Sequence, residues 1–128
     1  MLKSKIHRAI VTDSDLHYEG SLTLDETLMK AADIVPFEHA HVYNITNGHR
    51  FETYVMRGGK DSGIICVNGA AAHLARKGDL IIIASYCLIE DRRAKIYRPK
   101  LVFVDGNNRV IRKIAGKSQF FLINLLSK

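Results

Sequence analysis

Apolar residues in this chain come in short bursts of four to seven, separated by polar turns, rather than in long helical stripes. Residues 4–12 read as a strand. A period of two places Lys5, His7 and Ala9 on one face and Ile6 and Arg8 on the other. A polar stretch over 13–20 follows, then a short extended piece at 21–24. Asp25 is placed to cap a helix over about 26–33 whose inner stripe is Leu28, Ala31 and Ala32, and Pro36 prevents its continuation. Asn47-Gly48 is a hairpin signal between strands at 39–45 and 50–56. On the second of these, Arg50, Glu52 and Tyr54 alternate with Phe51, Thr53 and Val55. A core strand at 64–67 leads through Asn68-Gly69 into a short helix over 70–77, ended by Gly78. Leu80–Tyr86 is nearly all apolar and predicts a strand buried on both faces; a further strand, Lys100–Val104, follows Pro99. Many short strands with two short helices and close turns predict a mainly β chain, a small barrel with helical plugs.

Composition narrows this little. The chain of 128 residues and 47% apolar content suits one folded domain. The run Leu80–Ala84 is far short of the roughly 20 apolar residues that span a bilayer. The N-terminal residues lack the apolar stretch of an export signal, so the expected location is cytoplasmic, with no membrane partner. Cys66 and Cys87 sit in apolar runs without a CxxC spacing and read as reduced, buried thiols.

The net charge of +6 raises nucleic acid as a partner, but the excess is local. Five basic and no acidic residues fall within 106–128, and the remainder carries 14 basic against 13 acidic residues. No nucleic-acid partner is expected. Residues 107–128 therefore read as a basic, then apolar, extension of a domain at 1–106. The run at 120–126 needs a covering surface.

Candidate chemistry begins with what is missing. There is no Walker loop, no GxGxxG, no HExxH and no GxSxG. His39 and His41, two apart on a strand, have a geometry that suits a metal, but a surface pair is the expectation, and no metal is assigned. What remains is Gly20-Ser21, where a hydroxyl follows a residue with no Cβ to block attack on its own preceding carbonyl. Around it, Arg50 suits a carboxylate and Tyr54, on the same strand face, can donate a proton. Asn68-Gly69 opens a helix whose N–H groups favour an anion, and Lys5 adds a second cation. Together these suit a small diacid.

The segments at 5–34, 42–55, 64–86 and 97–105, and above all the ordered set HYEGS, TNG-R and NGAAAH, resemble the pyruvoyl-dependent aspartate 1-decarboxylase family. The resemblance implies a double-psi β-barrel and a homotetramer with active sites between neighbouring subunits. It implies self-cleavage between Gly20 and Ser21 into chains 1–20 and 21–128, through an acyl shift to the serine oxygen, elimination and hydrolysis, so that Ser21 becomes a covalent pyruvoyl cofactor. The substrate implied is L-aspartate, decarboxylated through a Schiff base to β-alanine, a pantothenate precursor, and CO2. By the same resemblance Thr53 assists processing, Arg50 and Lys5 bind substrate with backbone help from Gly69, Ala70 and Ala71, Tyr54 donates the proton, Asn68 positions the pyruvoyl end, and His7 and Tyr18 line the pocket. An accessory maturation factor is neither implied nor excluded. Thr53 and Tyr54 alternate on a regular strand, so a twist, a bulge or a subunit boundary has to bring them together. Two other readings remain: a non-enzymatic barrel that binds an anion, favoured by the charge, and a hydrolase using Ser21, which lacks an identifiable base.

Overall fold

The computed structural model describes residues 1–19 and 21–115. Nine strands lie in one sheet of order β2-β6-β3-β5-β4-β7-β1-β8-β9. In chain order they are β1 (Leu2–Ile10), β2 (Asp13–Asp15), β3 (Leu22–Asp25), β4 (His39–Asn44), β5 (Arg50–Gly58), β6 (Ile65–Asn68), β7 (Leu80–Tyr86), β8 (Lys100–Val104) and β9 (Val110–Ile114). Two short helices, α1 (Glu26–Ala32) and α2 (Asp91–Ala94), and a 3-10 turn at Gly69–His73 complete the set.

The sheet closes on itself through its first segment. β1 pairs antiparallel with β7, while β2, two residues further along the chain, pairs parallel with β6 at the far end of the order. Val11 and Thr12 carry the join: Val11 N–H donates to Asp79 at 2.9 Å and Thr12 N–H to Ile65 at 2.8 Å. The circuit β1/β2-β6-β3-β5-β4-β7 is a barrel of six staves, with parallel pairs β2/β6 and β3/β5 among antiparallel neighbours. A mainly β fold therefore holds, consistent with the double-psi barrel. Inside it Ile6, Leu22, Leu24, Val42, Val55, Ile65, Val67, Ile81 and Ile83 are fully buried. Each contributes roughly 1.5–3 kcal/mol of burial free energy.

Local sequence explains most element boundaries. Asp25 caps α1, accepting from Thr27 N–H at 2.8 Å, and Asp33 ends the helix in the left-handed region at φ 56°. The buried stripe is Leu28, Met29 and Ala32; Met29 replaces Ala31, which packs at the margin. On β1 the predicted alternation fails after His7. The pairing slips between Ile6 and Ala9, with Arg8 at φ 64°, and this bulge turns Ala9 to the buried side with Ser4 and Ile6. Lys5 and His7 keep the outer face. The segment expected as a helix over 70–77 is instead the single 3-10 turn at Gly69–His73. Both cysteines are free and half-buried rather than buried. Burial, with help from Asp13 and Asp15, pushes the Cys66 thiol above its usual pKa. Within the basic extension, β9 pairs antiparallel with β8, and buried Asn108 ties Ile10 to Gly63. The apolar run at 120–126 lies outside the described residues.

Candidate active site

Ser21 sits at the entrance to β3, and the strand register fixes its neighbours. Leu22 pairs with Val55 in parallel and with Val67 antiparallel, so Ser21 lies between Tyr54 on β5 and Asn68 on β6. The carbonyl of Ser21 accepts from Asn68 N–H at 2.9 Å. Three expected site residues, Ser21, Tyr54 and Asn68, thus meet at one end of the barrel.

Ser21 is unusual in two respects. Its φ is +88°, a region that costs an L-residue roughly 1–2 kcal/mol. It is 4% exposed, yet its Oγ has no hydrogen-bond partner among the described residues. Leaving a buried hydroxyl unpaired costs about 1–3 kcal/mol. Backbone strain and an orphaned nucleophile coincide at one residue.

Asn68 is held from both sides. Its Nδ2 donates to Thr23 Oγ1 at 3.1 Å, and its Oδ1 accepts from the Cys66 thiol at 3.0 Å. Sequence reasoning named neither Thr23 nor Cys66 as a supporting residue. Both lie two positions from a named residue on a strand, but the cross-strand register that joins them is not visible in the chain. After Asn68, Gly69 takes φ +64° and turns the backbone of Gly69, Ala70 and Ala71 into the 3-10 segment. One turn of 3-10 helix has little dipole, so the anion argument reduces to individual N–H groups.

The remaining cations lie elsewhere on the barrel's outer face. Arg50 and Tyr54 share that face of β5, with Glu52 between them; Phe51, Thr53 and Val55 turn the other way. Pairing with β4 is regular from Tyr43↔Arg50 to His39↔Tyr54, which rules out a bulge bringing Thr53 beside Tyr54 on this face. Four residues of strand separate Arg50 from Tyr54 by about 13 Å. The Arg50 guanidinium stands 4.5 Å above the ring of Tyr43, whose hydroxyl bonds to that of Tyr86 at 2.7 Å. Burial and that bond push the Tyr43 phenol up to about 12. His41, Tyr43, Arg50, Phe51 and Glu52 line a surface cavity of about 240 Å³. Tyr43 is a third residue that sequence reasoning missed; only the register shows it beneath Arg50.

Lys5 also points outward, from β1, paired with Ala84 on β7 and Leu101 on β8. Ala84 in turn faces His41, which faces Glu52. Three strand spacings, about 14 Å, therefore lie between Lys5 and β5. His7 lies two residues along the same strand from Lys5: it packs edge-on against Phe103 at 5.7 Å, its Nδ1 is buried with no hydrogen-bond partner among the described residues, and burial, then Lys5 and Arg8, lower its pKa. Tyr18 is 60% exposed in the turn before Ser21. One chain thus carries the expected groups at three separate stations. Tyr54, Tyr86, Leu88 and Phe37 are exposed around them, and Phe37 stacks on Tyr54 at 6.4 Å.

Comparison with known proteins decides the family. The aspartate decarboxylase family model matches residues 1–111. The chain belongs to the aspartate decarboxylase family. Among this family's curated members, the aspartate 1-decarboxylase of Syntrophus aciditrophicus (strain SB) is 57% identical over 110 residues, covering 86% of this chain and 95% of the relative. That of Thermoanaerobacter pseudethanolicus is 57% identical over 111 residues, 87% and 95% of the two chains. That of Syntrophobacter fumaroxidans is 59% identical over 109 residues, 85% and 88%. The aspartate decarboxylase match ends inside β9 and takes in every candidate site residue.

Proposed function

We propose that this family member cleaves its own chain between Gly20 and Ser21, converts Ser21 to a pyruvoyl group, and then decarboxylates L-aspartate to β-alanine and CO2. The observation that carries the reading is Ser21: strained at φ +88°, buried, with an unpaired Oγ between Tyr54 and Asn68. A structural serine has no use for that combination, whereas a nucleophile that acts once on its own backbone does.

In maturation, Ser21 Oγ bonds to the carbonyl carbon of Gly20 as the Gly20–Ser21 C–N bond breaks, giving an ester and a free amine. The developing oxyanion needs donors, and Thr53 is assigned to that task. Loss of the Cα proton and of the Gly20 carboxylate leaves dehydroalanine. Water then replaces nitrogen, which departs as ammonia.

The orphaned Ser21 site fits such a group, since the new terminus has no hydroxyl to satisfy. When present, the pyruvoyl ketone supplies the electron sink that a departing carboxylate requires. The chain's own residues do the rest. Asn68, fixed by Thr23 and Cys66, holds the backbone at residue 21. Arg50 grips one substrate carboxylate with its planar fork, and Lys5 balances the other. Tyr54 delivers the proton that replaces CO2 at the α-carbon, and the N–H groups of Gly69–Ala71 orient the substrate. His7 and Tyr18 are assigned to the pocket walls. L-aspartate spans only a few ångströms, so residues whose backbones stand about 13–14 Å apart on one barrel are more readily gathered on a single substrate if neighbouring subunits contribute some of them. That separation, with the exposed Tyr86 and Leu88, supports a homotetramer with sites between subunits. No described helix is long and apolar enough to cross a membrane, and a cytoplasmic location is proposed.

Intact mass spectrometry tests the reading. Two chains split after Gly20 are expected, the larger lighter by ammonia than a serine terminus and reactive toward carbonyl reagents. Ser21→Ala abolishes both cleavage and CO2 release. One uncleaved chain that still decarboxylates aspartate overturns the proposal. Arg50→Ala leaves cleavage intact and lowers kcat/KM for aspartate by about 100-fold, the loss of a charge-assisted pair of hydrogen bonds.

A further inference from the structure

The proposed reaction leaves one cluster unused. His39 and His41 stand two apart on β4, so both project from its outer face. Glu52 on β5 is the direct cross-strand partner of His41. Glu52 Oε1 lies 3.0 Å from His39 Nε2 and 3.3 Å from His41 Nε2, and the two imidazole centroids are 4.8 Å apart. All three donor atoms fall within 4.8 Å of one another, the one such group of His, Cys, Asp or Glu among the described residues.

We propose that His39, His41 and Glu52 form a binding site for a borderline divalent cation, with Zn²⁺ as its type. The spacing is the argument. Ligands at about 2.0–2.2 Å from a tetrahedral ion stand about 3.3 Å from each other; the two nitrogen–oxygen distances, 3.0 and 3.3 Å, are close to that, and the three donor atoms, all within 4.8 Å of one another, need only close up around the ion. The strands set that spacing, so binding needs side-chain adjustment and no backbone movement. Two imidazoles and one carboxylate favour zinc, nickel or copper over magnesium or calcium, which take oxygen ligands. Each imidazole moves its remaining proton to Nδ1 and turns its Nε2 lone pair to the ion, and the fourth position takes water. Access is open, because His39 and Glu52 are more than half exposed. His41 is steadied edge-on against Tyr86 at 4.9 Å. The neighbouring charge is tolerable, since Arg50 is drawn over the Tyr43 ring. The site does not depend on the decarboxylase reading, although Tyr54 is the cross-strand partner of His39 and a bound ion would sit beside it.

The test is a zinc chloride titration of the purified, chelator-treated protein, followed by calorimetry and by competition with a chromophoric chelator. One saturable site per chain is expected. Glu52→Gln and His41→Ala each weaken it at least tenfold, and cobalt(II) in place of zinc gives the intense visible absorption of a tetrahedral centre. His73→Gln, at an exposed histidine on the 3-10 turn, leaves affinity unchanged. Absence of saturable binding, or equal affinity in parent, Glu52→Gln and His41→Ala, overturns the site. Glu52→Gln is isosteric and exposed, so its result does not hinge on folding.

Discussion

Two buried polar side chains mark the ends of β3, and they are treated in opposite ways. At its C-terminal end Asp25, 1% exposed, accepts three N–H groups: from Thr27 at 2.8 Å, Asp61 at 2.9 Å and Gly63 at 2.8 Å. At its N-terminal edge Ser21, 4% exposed, neither accepts nor donates through Oγ among the described residues. The first is a buried charge satisfied by three donors, which locks a helix start and a loop to the barrel. The second is a buried hydroxyl left unpaired on a strained backbone. Four residues apart, on one short strand, the fold spends its hydrogen bonds on rigidity at one end and withholds them at the other. That contrast sets a satisfied structural carboxylate apart from the hydroxyl proposed as the nucleophile.

The comparison breaks most readily at Asp25. Asp25→Ala strands three N–H donors, and at about 1–3 kcal/mol for each group left unpaired it costs 3 kcal/mol or more, read as a lowered denaturation midpoint. Asp25→Asn keeps the acceptor oxygen Oδ1 and recovers part of the loss. A silent Asp25→Ala would remove the structural half of the contrast. At Ser21 the expected sign reverses. Ser21→Gly and Ser21→Ala both lack the nucleophile, so both stay uncleaved and are directly comparable. Ser21→Gly is more stable by about 1 kcal/mol, because glycine accepts positive φ and alanine does not. Equal stability would mean that the strain is not there.

The smallest effect concerns His7, whose folded pKa is lowered chiefly by burial. The unfolded chain then binds the extra proton more readily, so His7 costs nothing above its unfolded pKa of 6.5. Stability is lost as pH falls from there through the lowered folded value. His7→Asn flattens that part of the pH–stability curve, measured by denaturation at fixed protein concentration. An unchanged slope would remove His7 from the list of strained polar groups.

Much of this was legible in the chain, for identifiable reasons. Asp25 as a helix cap, the shared face of Arg50, Glu52 and Tyr54, and the apolar β7 are local patterns, and local patterns survive folding. Asp25's bonds to Asp61 and Gly63 are not local and left no trace. β2 is three polar residues that become a strand only by pairing with β6. β9 escaped because its first four residues are all exposed. An edge strand with charged side chains shows no alternation, and its composition reads as a tail. The bulge at Arg8 has no sequence signal, since arginine rarely marks a positive φ. For the site, residue types were readable, but their placement at three stations was not. The reach from β1 to β5, across β7 and β4, is a property of the strand order, not of any segment.

That closure gives the proposed cut a consequence for folding. β1 and β2 both precede residue 20, and they form the stave that joins β7 to β6. Before cleavage the barrel assembles from one molecule. Afterwards the same stave is a separate 20-residue peptide, held by the β1 pairings with β7 and β8. Its loss on unfolding turns a unimolecular search into a bimolecular one, slower at every dilution. On that proposal maturation works as a ratchet: the chain folds once in one piece and, once cut, endures by the slowness with which its barrel opens.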